Sequence, residues 1–143
     1  MEDPMVILAN LTATNERYIR LQGLFNEFCA QILNLKKQDE RLNLLAVEQS
    51  GNILTVEFLD RKMEASFLFF VDDNGGQKGY IHCQLLSLTE DGNPKLIEKF
   101  SFNGQGTTSI SSNSENDPYV INDRKDAITI VLNWAAISVK ENF

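Results

Sequence analysis

The sequence is poor in histidine and cysteine: its 143 residues include one His and two Cys. Two cysteines cannot build a disulfide framework, although a single bridge between them would still be compatible with the sequence. No apolar run approaches the roughly 18 residues that a membrane helix needs. Residues 1–9 lack both the basic segment and the long apolar segment of a secretory signal. We therefore expect one domain over residues 1–143, in the cytoplasm, with no cofactor and no membrane contact.

Basic side chains are also scarce. The 13 Lys and Arg are outnumbered by 20 Asp and Glu, which gives a formal net charge of -7. Non-specific affinity for nucleic acid comes mainly from Lys and Arg that neutralise phosphates, so this balance argues against a nucleic-acid partner. An acidic surface keeps a protein soluble and attracts basic proteins. The charge therefore favours a protein partner, and a basic one if charge contributes to the contact.

An early apolar stripe predicts a long N-terminal helix. Its members are three and four residues apart in alternation, which places them on one helix face. Thr12 or Thr14 is the expected N-cap, and Lys36 and Lys37 suit the negative C-terminal end. A coiled-coil seam has the same spacing, but about two and a half heptads are short for one, so a helix lying on a sheet is favoured. The stripe consists of Tyr18, Leu21, Phe25, Phe28, Ile32 and Leu35.

The apolar period changes to two between residues 42 and 102, which is the period of a β-strand. Short turn segments that contain glycine separate the apolar runs, and short connections make neighbouring strands antiparallel. The run 66–71 is apolar on both faces, which indicates a strand that is covered on both sides or that meets another molecule. The five expected strands cover residues 44–48, 53–59, 65–71, 79–88 and 95–102.

The last part of the sequence predicts a loop and a second helix. Residues 103–118 are rich in Gly, Ser, Asn and Thr, which is typical of a flexible loop. Asp123 then offers an N-cap, with Asp126 three residues later. The β-branched run 128–132 would also suit a strand, but the apolar spacing continues to residue 137 and favours a helix. The expected fold class is thus α+β, with an N-terminal helix, a five-stranded antiparallel meander sheet and a C-terminal helix.

No spacing of polar residues predicts catalysis. His82 and Cys83 are neighbours on a strand and so point to opposite faces, which excludes a joint metal pair. The acidic turn at residues 72–76 lacks the glutamate and the flanking helices of a calcium-binding EF-hand. The Gly-Gln-Gly segment at residues 104–106 is followed by neither the lysine nor the helix of a phosphate loop. We therefore expect neither an enzyme nor a metal site.

Two candidate partner-binding surfaces remain. The first is a sheet face on which apolar Leu68, Phe70 and Tyr80 lie among polar neighbours, as on a face that meets another molecule. The second is an acidic edge, where carboxylates could meet Lys and Arg of a partner beside an aromatic anchor. Turn and cap chemistry would explain the same carboxylates. The acidic edge consists of Asp117, Tyr119, Asp123 and Asp126.

These observations favour a small, acidic, non-catalytic protein-binding protein of the immunity-protein or chaperone and adaptor type. A second copy of the chain, giving a homodimer, is one candidate partner. In size, acidity and element order the chain is similar to type III secretion chaperones, but those insert a helix among their strands where residues 72–79 leave no room. The alternative is a small-molecule-binding protein with an apolar pocket between sheet and helices. The side chains expected to line that pocket are Phe58, Phe67, Phe69, Phe100 and Trp134.

Overall fold

A computed structural model describes residues 3–72, 74–87, 92–111 and 117–141. Over these residues the chain forms one seven-stranded antiparallel sheet with two α-helices packed on one face, which confirms the α+β class. The helices are α1 (Pro4–Gln38) and α2 (Arg124–Ser138), with a short 3-10 helix at Glu40–Leu44. The strands are β1 (Ala46–Ser50), β2 (Ile53–Phe58), β3 (Arg61–Val71), β4 (Gln77–Leu85), β5 (Lys95–Phe102), β6 (Thr107–Ser111) and β7 (Pro118–Val120).

Helix α1 begins at Pro4, well before the expected cap at Thr12 or Thr14, so the predicted start is wrong. Asp3 is the N-cap, and its Oδ1 accepts a hydrogen bond of 2.8 Å from the backbone N–H two residues later. Proline suits the first helical position because no intrahelical partner awaits an N–H there. The hydroxyls of Thr12 and Thr14 instead donate to carbonyl oxygens one turn earlier inside the helix, each at 2.9 Å. The hydroxyls of both threonines therefore have hydrogen-bond partners inside the helix. The helix begins instead where an N-cap aspartate is followed directly by proline.

The sheet is a meander in which each strand pairs with the next one along the chain. Gly51 and Gly75 adopt positive φ angles of 58° and 80° in the turns after β1 and β3. Among the described residues no helix lies between β3 and β4, unlike the arrangement in type III secretion chaperones. The five expected strands correspond to β1–β5 with their ends displaced, and residue 88 lies outside the described part. Five strands are nevertheless too few, because β6 and β7 extend the sheet.

Strand β6 lies within residues 103–118, the segment expected to be a flexible loop, so that prediction is wrong for residues 107–111. The Thr108 hydroxyl is buried and donates to the carbonyl oxygen of Tyr119 in β7 at 2.8 Å. A strand composed mostly of threonine and serine has the composition of a loop, and only its pairing with β5 and β7 makes it part of the sheet. Residues 112–116 lie outside the described part.

The core lies between the sheet and the two helices. Phe25 of α1 stacks on Phe67 of β3 with 5.7 Å between ring centroids, and Phe28 meets Trp134 of α2 edge-on at 6.0 Å. Trp134 is fully buried, and its Nε1 donates to Glu98 Oε1 at 2.8 Å, so the indole N–H keeps a partner. The second helix and its burial thus agree with the prediction from apolar spacing.

Replacing Phe67 by alanine should lower the free energy of unfolding by about 3–5 kcal/mol, because it would leave a cavity among packed rings. Phe67 is 4% exposed and contacts rings of α1 and β5. Phe70→Ala is the matched control on the same strand, since Phe70 is 52% exposed. It should change the unfolding free energy by less than about 1 kcal/mol. Urea unfolding measures both, and equal losses would contradict the assignment of the two sheet faces.

Candidate functional site

The helices cover one face of the sheet, and the other face is open among the described residues. Successive side chains on a strand point to opposite faces, so burial and register together assign each residue to a face. On β3, Phe67 is buried against α1 while Leu68 lies on the opposite side. On β4, Cys83 is buried, and His82 lies with the open-face residues of the neighbouring strands. The open face is therefore an exposed surface on which side chains of several strands lie together.

Three of the residues chosen from the sequence come together on this open face. Leu68 of β3 pairs directly with Tyr80 of β4. The rings of Phe70 and Tyr80 meet edge-on, with their centroids 5.5 Å apart. The Lys99 amine of β5 lies 5.6 Å from the centroid of the Tyr80 ring, in a cation–π contact. We call Leu68, Phe70 and Tyr80 the open-face cluster.

Acidic and basic side chains lie on different strands of the open face. Glu48, Glu57 and Glu64 lie on β1, β2 and β3. Lys62, which pairs with Glu57, offsets part of their charge. Lys78 and Lys99 lie on β4 and β5 beside the open-face cluster. The immediate surroundings of the cluster are therefore basic, although the chain as a whole is acidic.

The four residues of the acidic edge lie elsewhere, where β7 leads into α2. Asp123 is the N-cap of α2, and its Oδ2 accepts from the Asp126 N–H at 3.0 Å. Asp126 Oδ2 in turn accepts from the Val120 N–H at 3.0 Å. Tyr119 is half-buried and packs against the core, whereas Asp117 is exposed. Two of the carboxylates thus hold local backbone, and β5 and β6 separate this edge from the open-face cluster.

His82 and the two cysteines do not form a common site. His82 lies on the open face, where its Nε2 is 3.5 Å from the Gln84 amide nitrogen. Cys29 and Cys83 are buried free thiols. Burial raises the pKa of Cys29 to about 12 and raises that of Cys83 well above its usual value, with nearby Glu98 adding to the second shift. Within the part of the chain that the structure describes, no three His, Cys, Asp or Glu side chains are grouped to hold a metal ion.

Aromatic residues expected to line a ligand pocket help to fill the core, as the ring contacts of Phe67 and Trp134 show. An apolar concavity of about 420 Å³ lies instead between the end of α1, the 3-10 helix and α2. Asp39 and Arg41 border it, and hydrogen bonds from Arg41 lower the pKa of the Asp39 carboxyl to about 2. The apolar lining of this concavity is Leu35, Leu42, Leu44, Ile128 and Leu132.

An apolar surface that the sequence reasoning missed lies at the start of α1. Every residue from 4 to 13 is exposed, and we call this segment the overhang. The signal was present in the sequence, because Ile7 and Leu11 continue the three–four spacing upstream of Tyr18. The five large apolar side chains of the overhang, each 41–70% exposed, are Met5, Val6, Ile7, Leu8 and Leu11.

Neither helix of the described residues is long and apolar enough to cross a membrane. No family model, curated protein or solved structure matches this chain.

Asp123→Ala should lower the free energy of unfolding by about 1 kcal/mol, because it removes the carboxylate that caps α2. The exposed Asp117 offers a control with the same change of charge, and Asp117→Ala should stay within about 0.5 kcal/mol of the wild type. Urea unfolding at neutral pH distinguishes the two variants. A loss at Asp117 equal to that at Asp123 would mean that charge, and not capping, accounts for the effect.

Both thiols should be unreactive toward a charged disulfide reagent at about pH 8 in the native protein, and both should react once it is unfolded. The pKa of Cys29 is raised from 9.0 to about 12 by folding. The folded state therefore holds this proton more tightly, and the resulting stability is present below pH 9 and is lost as pH rises toward 12. The Cys29→Ala variant should show a smaller fall in unfolding free energy above pH 9. An identical fall in both proteins would contradict the assignment.

Proposed function

We propose that this chain is a non-catalytic protein-binding protein and that the open-face cluster is its contact surface. The observation that carries the proposal is the edge-on contact of Phe70 with Tyr80 on a sheet face that no described element covers. Aromatic side chains contribute much of the energy of protein interfaces when a partner buries them. The classes that we propose for the chain are therefore immunity proteins, chaperones and adaptors, which act by binding another protein.

The position of the cluster suits tight binding, because β3 and β4 are paired along nine residue positions. The backbone of such a strand is already fixed, so binding a partner costs less conformational entropy there than it would on a loop. Aromatic rings add large contact area with few rotatable bonds. Leu68, Phe70 and Tyr80 therefore offer an anchor whose shape exists before the partner arrives.

Charge acts on such a partner at two ranges. The net charge of -7 favours the approach of a basic protein over long distances. Close to the cluster, Lys78 and Lys99 would instead meet acidic or aromatic groups of the partner. Exposed Asp117 and Asp123 could still contact basic side chains at the other edge. We therefore propose a partner that is basic overall and carries acidic or aromatic residues where it meets the cluster.

A non-catalytic role is supported by the chemistry of the site. The cluster itself has one hydroxyl as its sole polar side-chain group, and the Nε2 of the sheet histidine lies 3.5 Å from an amide nitrogen. The buried cysteines are protonated at neutral pH, because burial raises the pKa of each thiol. Free thiols are typical of reducing compartments, which supports a cytoplasmic location as part of this proposal. The apolar concavity near Leu132 supports small-molecule binding as a second candidate, at a place other than the interior.

Phe70→Ser combined with Tyr80→Ser should reduce capture of the partner at least about tenfold, because removal of interface anchors typically costs that much or more. The tagged chain is immobilised, exposed to lysate of the source cells, and bound proteins are quantified by mass spectrometry. Leu59→Ser is the matched control, since Leu59 is 69% exposed at the turn between β2 and β3. Circular dichroism checks that each variant is folded.

The expected result is one protein held in near-stoichiometric amount by the wild type and by Leu59→Ser but lost from the double variant. Equal capture by all three proteins would place the contact away from the open-face cluster. A wild-type chain that retains no protein at low salt would contradict the binding role itself.

A further inference from the structure

The overhang is unusual for an exposed helical segment because it carries no charge. Residues 4–15 contain no Asp, Glu, Lys or Arg, in a chain of which 23% is charged. Exposed helices normally present a polar or ion-paired face, and a helical segment of this length is marginally stable without packing. Large apolar side chains of the overhang are nevertheless 41–70% exposed. Another surface must cover this segment if its apolar side chains are to be buried.

The three–four spacing of the apolar stripe of α1 continues into the overhang, with Thr14 as a polar member. Upstream of Tyr18, steps of four and three residues lead to Thr14, Leu11 and Ile7, which are alternating a and d positions of a heptad pattern. Downstream, the same stripe is buried on the sheet, with Phe25 fully covered. The overhang thus presents the kind of surface that the rest of the helix buries.

The sheet ends beneath Thr14. Its Oγ1 accepts a hydrogen bond of 3.3 Å from Gln77 Nε2, and Gln77 pairs with Val71 at the end of β3. Val71 lies on the helix-covered side of β3, in alternation with Phe67, yet it is 51% exposed. An apolar corner is therefore open between the overhang and the end of β3.

The charges that flank the overhang suit a second copy of the same helix. Asp3 and Arg17 occupy g positions of the heptad pattern, and side chains at such positions form ion pairs between helices. Among the described residues Arg17 forms no ion pair of its own. If a two-fold axis passes beside the middle of the overhang, Asp3 of one copy lies near Arg17 of the other. The same axis brings Ile7 of one copy to Leu11 of the other.

We propose that this chain forms a two-fold homodimer in which the overhangs of two copies pair antiparallel, with Ile7 and Leu11 at the centre and Val71 at each end. Ile7, Leu8 and Leu11, on the side of the helix that faces the second copy, and Val71 are 41–61% exposed, so the pairing removes four large apolar side chains from water. The pairing leaves the open-face cluster free and does not depend on the function proposed for it.

The test is the mass of the chain in solution, measured by sedimentation over a range of concentrations. The wild type should have twice the 16.2 kDa mass of one chain. Ile7→Glu combined with Leu11→Glu should raise the dissociation constant by on the order of 100-fold, because it places unpaired carboxylates in an apolar contact. Ala9→Glu combined with Ala13→Glu is the matched control, with the same spacing and added charge on the opposite side of the helix. It should change the dissociation constant by less than about threefold.

Reversal of the flanking charges separates the proposed pairing from other contacts of α1. Arg17→Glu should weaken the dimer by about tenfold, and adding Asp3→Lys should restore most of the loss, because the ion pair is rebuilt with opposite sign. Circular dichroism of each variant measures helix content, so that loss of the Asp3 cap is seen separately.

Four results would overturn the proposal. They are a monomer at every concentration, a dimer that both glutamate double variants weaken equally, a dimer that only Phe70→Ser with Tyr80→Ser weakens, and a monomer that binds vesicles of neutral phosphatidylcholine through the overhang.

Discussion

Burial of the apolar stripe of α1 on a single face of the sheet is the interaction on which the rest of the structure depends. Leu21, Phe25 and Phe28 are fully buried there, and Trp134 of α2 completes the layer. Each such side chain contributes about 1.5–3 kcal/mol when it leaves water, and the contacts join segments far apart in the chain. Trp134 keeps its hydrogen bond to Glu98, so the layer closes without an unsatisfied indole.

This two-layer arrangement produces both the open-face cluster and the overhang. Two helices on one face leave the other face of the sheet open, and there the open-face cluster gathers around the Phe70 and Tyr80 contact. Helix α1, with 35 residues at 1.5 Å each, is about 52 Å long, whereas β3 with 11 residues reaches about 36 Å. The helix therefore outruns the strands it covers, and its first turns keep the apolar stripe without a sheet beneath it.

The net negative charge had a different consequence from the one that composition suggests. The carboxylates of Asp123 and Asp126 accept hydrogen bonds from backbone N–H groups around the start of α2. The charged groups nearest the open-face cluster are Lys78 and Lys99, whose places depend on the registers of β3 with β4 and of β4 with β5. Composition sets the overall field of a protein, but local hydrogen bonds and strand register decide which charges meet a partner.

The sequence by itself determined both helices, the five strands β1–β5 and the common face of Leu68, Phe70 and Tyr80, because these follow from spacing within one segment of chain. Only the tertiary structure decided that residues 107–111 form a strand and that the acidic edge is separate from the cluster. It also decided that the apolar stripe extends beyond the sheet. The physical reason is that strand pairing and burial depend on which segments meet in space, whereas periodicity records only how each segment would present its side chains.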